Sequence, residues 1–157
     1  MDVQLTPRGT RGAEMPALAR LLIPALSGLG IAAYRLIGGR MRLMGQPLLL
    51  LTTVGARTGK TRRTLLVCFP EGKEAWLIVA SFGGMARHPA WYVNMARNPD
   101  KVGIEIRGRR FPVRPASLRG PEREEAWQRI VSLAPGYGAY QQKTDREIPV
   151  VRLTNVE

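Results

Sequence analysis

The chain has 157 residues, 45% hydrophobic and 23% charged, enough to bury one core as a single domain without staples. One cysteine, Cys68, and one histidine, His88, exclude a disulfide framework and a Cys/His metal centre, and fit a reducing, cytoplasmic compartment. A net charge of +12 and a pI near 11.2 call for an acidic partner: nucleic acid, anionic lipid or a polyanionic small molecule.

The charge is unevenly placed. Met15 to Pro70 holds eight Lys/Arg and no Asp or Glu. Residues 1–14 are polar and without period, and read as a loose tail. Residues 15–45 form an apolar segment at roughly helical spacing, interrupted by Pro24 and Gly28-Leu29-Gly30, which predicts two short helices or one kinked helix. Its longest uncharged run, Leu21 to Tyr34, has 14 residues, short of the roughly 20 that span a bilayer. Glu14 and the sequence Ala32-Ala33-Tyr34-Arg35 argue against a cleaved signal. Two roles suit the segment equally. It packs on the domain, or it lies on the inner face of the membrane with Arg20, Arg35, Arg40 and Arg42 toward anionic lipid.

The domain proper occupies residues 46–157. Pro47–Val54 reads as a strand buried on both faces, because it does not alternate. The connection Gly55-Ala56-Arg57-Thr58-Gly59-Lys60-Thr61-Arg62-Arg63 then places four cations in seven positions. Its glycines permit positive φ and close approach of a ligand to backbone amides. Arg57 and Arg62 can each fork two hydrogen bonds onto a phosphate or carboxylate, and Lys60 adds a point charge. This is an anion-binding loop. A nucleotide P-loop would need glycine at Val54 and a helix afterwards, whereas Thr64–Phe69 is strand-like and ends at Pro70-Glu71-Gly72. Cys68 in that run reads as a buried, inert thiol.

Glu74–Ser81 is a third strand, predicted to pair as a hairpin with residues 62–69. Pro89 opens a helix over Ala90–Asn98. Lys101–Arg107 and Arg110–Ser117 form another hairpin, and Pro121 starts an acidic-first helix over Glu122–Leu133, with Trp127 in the core. Pro135–Tyr140 reads as an aromatic loop and Ile148–Leu153 as the last strand. Consecutive hairpins with interspersed helices predict a mainly β fold, a six-stranded antiparallel barrel with flanking helices.

Several of these segments, in this order, resemble the deazaflavin (F420)-dependent nitroreductase family of split β-barrel oxidoreductases. The matching runs are Gly38-Gly39-Arg40, Leu49 to Arg62, Val79 to Gly84, Pro89 to Asn94, Asn98-Pro99, Pro135 to Gln141 and Thr144 to Val150. The resemblance implies a split β-barrel that binds coenzyme F420, a polyanion with a phosphodiester, an oligoglutamate tail and a flat head. It implies that Ala56, Arg57, Thr58 and Arg62 hold tail and phosphate, and that Arg63, Thr64, Leu65 and Val67 run along the cofactor. Val79, Ala80, Ser81 and Phe82 would contact the ring. Ala90, Trp91, Tyr92, Val93 and Asn94 would line the cleft, and Tyr137 would close over ring and substrate. Ser81 and Tyr137 are the candidates to orient the acceptor or relay a proton.

The implied activity is hydride transfer from F420H2 to a small-molecule acceptor: a quinone, an activated alkene or a nitro compound. Two departures concern the acceptor pocket. Leu65-Leu66-Val67 stands where the nitroreductase branch carries Pro-Leu-Tyr, and Ala134 stands where it carries tyrosine. Two alternatives compete with this reading. A flavin mononucleotide has one phosphate and leaves most of the Arg57–Arg63 charge unpartnered. A nucleic-acid-binding barrel would use Arg107–Arg110 as a finger, but the aromatics do not lie along one strand face, so no nucleic acid is expected.

Overall fold

The computed structural model describes residues 2–157. It holds α1 (Ala17–Leu36), β1 (Arg42–Leu43), β2 (Gln46–Val54), β3 (Thr61–Val67), β4 (Phe69–Glu71) and β5 (Ala75–Val79). After a 3-10 turn at Phe82–Gly84 come α2 (Ala90–Arg97), β6 (Gly103–Ile106), β7 (Arg109–Ser117), α3 (Gly120–Leu133), α4 (Gly136–Lys143) and β8 (Val150–Asn155). All pairings are antiparallel, and the sheet runs β2-β6-β7-β8-β5-β4 with β3 on β2.

The strand count differs from six for a physical reason. The run expected to pair with residues 74–81 divides at Cys68. Residues 61–67 pair with β2, Leu50 opposite Leu65, and only Phe69–Glu71 pair with β5. The Cys68 amide turns aside to Pro47 O at 2.9 Å. One continuous segment therefore joins both ends of the sheet, which curls it into a barrel and removes two exposed edges.

Curling explains why β2 and β5 are buried on both faces. Leu49, Leu51, Trp76 and Ile78 point into a cluster with Ile104, Phe111, Val113, Val151 and Leu153, plugged by Trp91, Tyr92 and Met95 of α2. Their neighbours Leu48, Leu50, Leu77 and Val79 join a second cluster with Ala126 and Ile130 of α3 and Tyr137 of α4. Trp127 sits at the edge of this second cluster, half-exposed, with the Arg123 guanidinium 5.2 Å from its ring. Pro135–Tyr140, expected as a loop, belongs largely to α4 because Pro135 takes the residue before the first helical position.

Two N-terminal expectations change. Residues 2–14 have no helix or strand but are not loose: Val3 is buried, Tyr92 Oη donates to Gln4 O at 2.6 Å, and Gly9 and Ala13 amides reach Ala86 O and Gly84 O at 2.8 and 2.9 Å. Asp145 clamps the same segment, accepting from the Thr10 hydroxyl and from the Thr10 and Arg11 amides. The Thr10 hydroxyl, then these amides, push its carboxyl down to about 2. The apolar segment is a single helix running through Pro24 and, by length and composition, long and apolar enough to cross a membrane.

Only Tyr34 of α1 is fully buried. Its hydroxyl lies 3.0 Å from both Leu48 O and Glu105 O, tying the helix to adjacent strands β2 and β6. A buried carbonyl left without its donor costs on the order of 1–3 kcal/mol. Tyr34→Phe, which keeps the ring, should lower stability by about 1–2 kcal/mol in urea denaturation. An unchanged midpoint would show that water replaces the hydroxyl.

Candidate active site

The basic loop is a closed six-residue turn between β2 and β3. The Gly55 amide donates to Lys60 O at 2.8 Å and the Gly59 amide to Gly55 O at 2.9 Å. Gly59 has a φ of +66°, as its place in the turn requires. Gly55 serves differently: its φ is not positive, but a Cβ there would sit 2.6 Å from Thr58 Oγ1. Helix α2 fixes the loop from behind. Asn94 Oδ1 accepts from the Ala56 amide at 2.9 Å, and Asn98 Nδ2 donates to Val54 O at 3.3 Å.

Between this loop and α2 lies a cleft of about 790 Å³. Arg57, Arg62, Arg63, Arg87 and Arg8 line it together with His88, and among the described residues no carboxylate does. Five guanidinium groups lining one concavity create a strongly positive local potential. Ala90, Trp91 and Val93 supply an apolar wall. This donor set fits a flat apolar head carrying several anionic groups, and forked guanidinium groups match phosphate and carboxylate oxygens.

Of the residues expected at the site, Ala56, Arg57, Thr58, Arg62, Arg63, Thr64, Ala90, Trp91, Val93 and Asn94 line this cleft. Lys60 is exposed on the loop outside it. Tyr92 is a core residue, fully buried and bonded to the N-terminal segment. Leu65, Val67, Val79 and Tyr137 belong to the apolar cluster on the other side of the sheet. Val67 and Ala134, the two positions without an aromatic, are buried in that same cluster with Tyr137. The Tyr137 ring packs edge-on against Phe69 and Tyr140, each at 5.8 Å, and burial pushes its phenol up to about 12.

Ala80, Ser81 and Phe82 form the corner after β5. Phe82, Gly83 and Gly84 have φ of 45°, 62° and 83°, a left-handed run that is strained at the non-glycine Phe82. A buried cation holds this corner. Arg146 Nη2 donates to Ala80 O at 3.1 Å and Ser81 O at 2.8 Å, and its Nε to Met85 O at 2.8 Å. Arg87 lies 5.2 Å over the Phe82 ring and connects the corner to the cleft.

Arg8, Arg87 and Arg146 were not assigned to the site from sequence. Only the path of residues 2–14 over the domain brings Arg8 there. Arg146 stands in a run flanked by Asp145 and Glu147, which gives no sign that its guanidinium turns inward to carbonyls.

His88 links these parts. Its Nε2 lies 2.7 Å from Thr6 O, which requires an Nε2 proton, and its Nδ1 faces Arg146 Nη1 at 3.4 Å as an acceptor. Burial lowers its pKa, opposed by the bond to Thr6 and reinforced by the Arg146 and Arg8 charges. A basic group whose folded pKa is depressed binds fewer protons than in the unfolded chain, so stability is lost as pH falls below the usual histidine range. Wild-type protein should therefore unfold at lower denaturant at pH 5.5 than at pH 7.5. His88→Gln, which removes the chain's one histidine, should flatten that difference, and an unaltered slope would assign it to other groups.

Comparison with known proteins follows the same lines. The family model for F420H(2)-dependent quinone reductase matches residues 30–155. An F420H(2)-dependent quinone reductase of Mycobacterium tuberculosis H37Rv is 43% identical over 129 residues, covering 78% of this chain and 85% of that protein. A solved F420-H2 dependent reductase (FDR-A) superposes with a TM-score of 0.61 at 40% identity, covering 68% of this chain and 93% of the other. A second solved chain, described as a domain-swapped dimer, gives a TM-score of 0.63 at 33% identity over 83% of this chain and 98% of its own. The chain belongs to the F420H(2)-dependent quinone reductase family.

Proposed function

We propose that this protein is an oxidoreductase that uses F420H2 to reduce a quinone. The observation that carries the reading is the carboxylate-free cleft in which five arginines face an apolar wall. When bound, the reduced deazaflavin supplies a hydride. Quinone reduction then takes up that hydride and one proton to give the hydroquinone.

The chain's own residues have distinct tasks. Arg57, Arg62 and Arg63, with Arg8 and Arg87 on the same cleft, would hold the phosphate and tail carboxylates. Asn94 keeps the loop in register by fixing the Ala56 amide. Trp91 and Val93 keep water from one side of the flat head, which strengthens each ionic contact. Arg146 fixes the corner that presents Ser81, whose hydroxyl orients the acceptor. Tyr137, packed edge-on against Phe69 and Tyr140 on the other side of the sheet from the cleft, acts as a structural wall rather than as the proton donor.

A fluorescence titration with F420, beside flavin mononucleotide and a tail-less deazaflavin, tests the reading. F420 alone should bind tightly. Arg57→Ala and Arg62→Ala should each weaken it about tenfold or more, since a charge-assisted contact contributes roughly 1.5–3 kcal/mol. In F420H2-driven quinone turnover, Ser81→Ala should lower kcat and Tyr137→Phe should not. Equal binding of flavin mononucleotide would transfer the reading to a flavin.

The acceptor's location follows from α1. Leu21 and Leu29 are 74% and 70% exposed, and we place this face on an anionic membrane surface. Arg35 does not serve there, because it pairs with Glu105 at 3.1 Å; Arg20 on the helix and Arg40 just past its end remain exposed. The protein should cosediment with vesicles containing anionic lipid, and Leu21→Gln/Leu29→Gln should release it. Equal sedimentation of that double variant would remove α1 as the contact.

A further inference from the structure

The barrel is plugged at one end only. Trp91, Tyr92 and Met95 of α2 fill the end that borders the arginine cleft. At the other end, where β2 begins and the β4–β5 and β6–β7 turns meet, a cavity of about 360 Å³ remains. Pro47 borders this cavity and Gly55 the cleft, so the two lie roughly 26 Å apart along β2 at about 3.3 Å per residue. Interiors normally close-pack. Here the rings of Trp76 and Phe111, 5.3 Å apart, make an aromatic floor whose surroundings are all strand and turn.

Lys73, Arg107 and Arg109 stand around that floor. Among the described residues none of the three pairs with a carboxylate. The acid on the rim, Glu74, already accepts from Asn155 Nδ2 at 2.6 Å. The Arg109 guanidinium lies 5.7 Å over the Phe111 ring. Arg40 and Arg42 border an adjoining hollow that shares Pro47 and Arg107, and they add to the positive field. Arg107 is held there under strain. Its φ is +51°, a left-handed conformation that glycine adopts freely and arginine does not. Its amide donates to Gly39 O at 3.1 Å, and a Cβ on Gly39 would stand 2.9 Å from that nitrogen. The turn keeps an arginine where glycine would relieve the strain, and such strain gathers at ligand sites.

We propose that this open end of the barrel is a second ligand site, which takes a small planar aromatic molecule carrying a carboxylate. The ring lies on Trp76 and Phe111, and the carboxylate meets the forked guanidinium group of Arg107 with Arg109 and Lys73 beside it. The class follows from the lining. A phosphate-rich ligand has no use for the aromatic floor, and a neutral apolar one leaves three cations without a partner. An aromatic carboxylate uses both. Its distance from the cleft makes the bound molecule neither cofactor nor acceptor, and the site does not depend on the reductase reading.

Isothermal titration calorimetry of the full chain with naphthoate tests the site, with neutral naphthamide as the comparison. Naphthoate should bind one per chain, and naphthamide at least about tenfold more weakly, since only the anion gains charge-assisted contacts. Arg107→Gly should weaken naphthoate about tenfold or more while the thermal midpoint stays at or above wild type, because glycine suits that φ. Arg57→Ala/Arg62→Ala, which strips charge from the cleft, should change naphthoate affinity less than about twofold at physiological salt, where charges so distant are screened. Loss of binding in that cleft variant, with Arg107→Gly unaffected, would move the ligand to the cleft and overturn the proposal. Equal affinity for the amide would remove the anion recognition on which the site is argued. No heat from wild type at millimolar naphthoate would remove the site.

Discussion

The structure depends on one covalent continuity: residues 61–71 pair at one end with β2 and at the other with β5. A sheet whose first and last strands are the same segment cannot open without breaking both ladders. The bend needs a residue that is small and tolerates full burial, and Cys68 meets both conditions. Because that segment begins at the cationic loop and ends in the core, ligand-facing and core-facing residues share one strand. Arg62 and Arg63 line the cleft, Leu65 packs against the second apolar cluster, and Val67 and Phe69 are buried in it. Anything bound at the cleft is thereby seated on the segment that closes the barrel.

Buried charge is handled without carboxylates at the point that matters most. Arg146 is 3% exposed and is satisfied by main-chain oxygens, so it rigidifies the 80–85 corner while leaving its charge uncancelled near the cleft. A carboxylate partner would serve structure equally well but would lower the positive potential that an anionic ligand meets. Elsewhere the chain uses ordinary pairs. Arg152 joins Glu71 and Glu122, both at 2.6 Å, on the far side of the sheet. Acidic partners are thus spent away from the site.

The parts of this design that were legible in the sequence are those set by local chemistry. Pro89 and Pro121 mark helix starts, and the lack of alternation in Pro47–Val54 reports burial on both faces. The cluster Arg57–Arg63 names the anion site. What could not be read is set by distant chain. The division of residues 61–71 between two partners has no local marker, since Thr64–Phe69 is uniformly strand-like. The ordering of residues 2–14 depends on acceptors and donors at Gly84, Ala86, Tyr92 and Asp145, more than 70 positions away. Trp91 and Tyr92 are adjacent on α2 and both reach the same core cluster, yet only Trp91 also borders the cleft, which the docking angle of the helix decides.

The bend at Cys68 has a practical consequence. Its thiol is fully buried, and burial raises its pKa to about 12, so almost no thiolate exists at neutral pH. With no second cysteine in the sequence, the folded protein is a nearly silent background for thiol chemistry. A spin label or fluorophore attached to a cysteine introduced on the outer face of α1 would report from that one place, and the wild-type thiol need not be removed first.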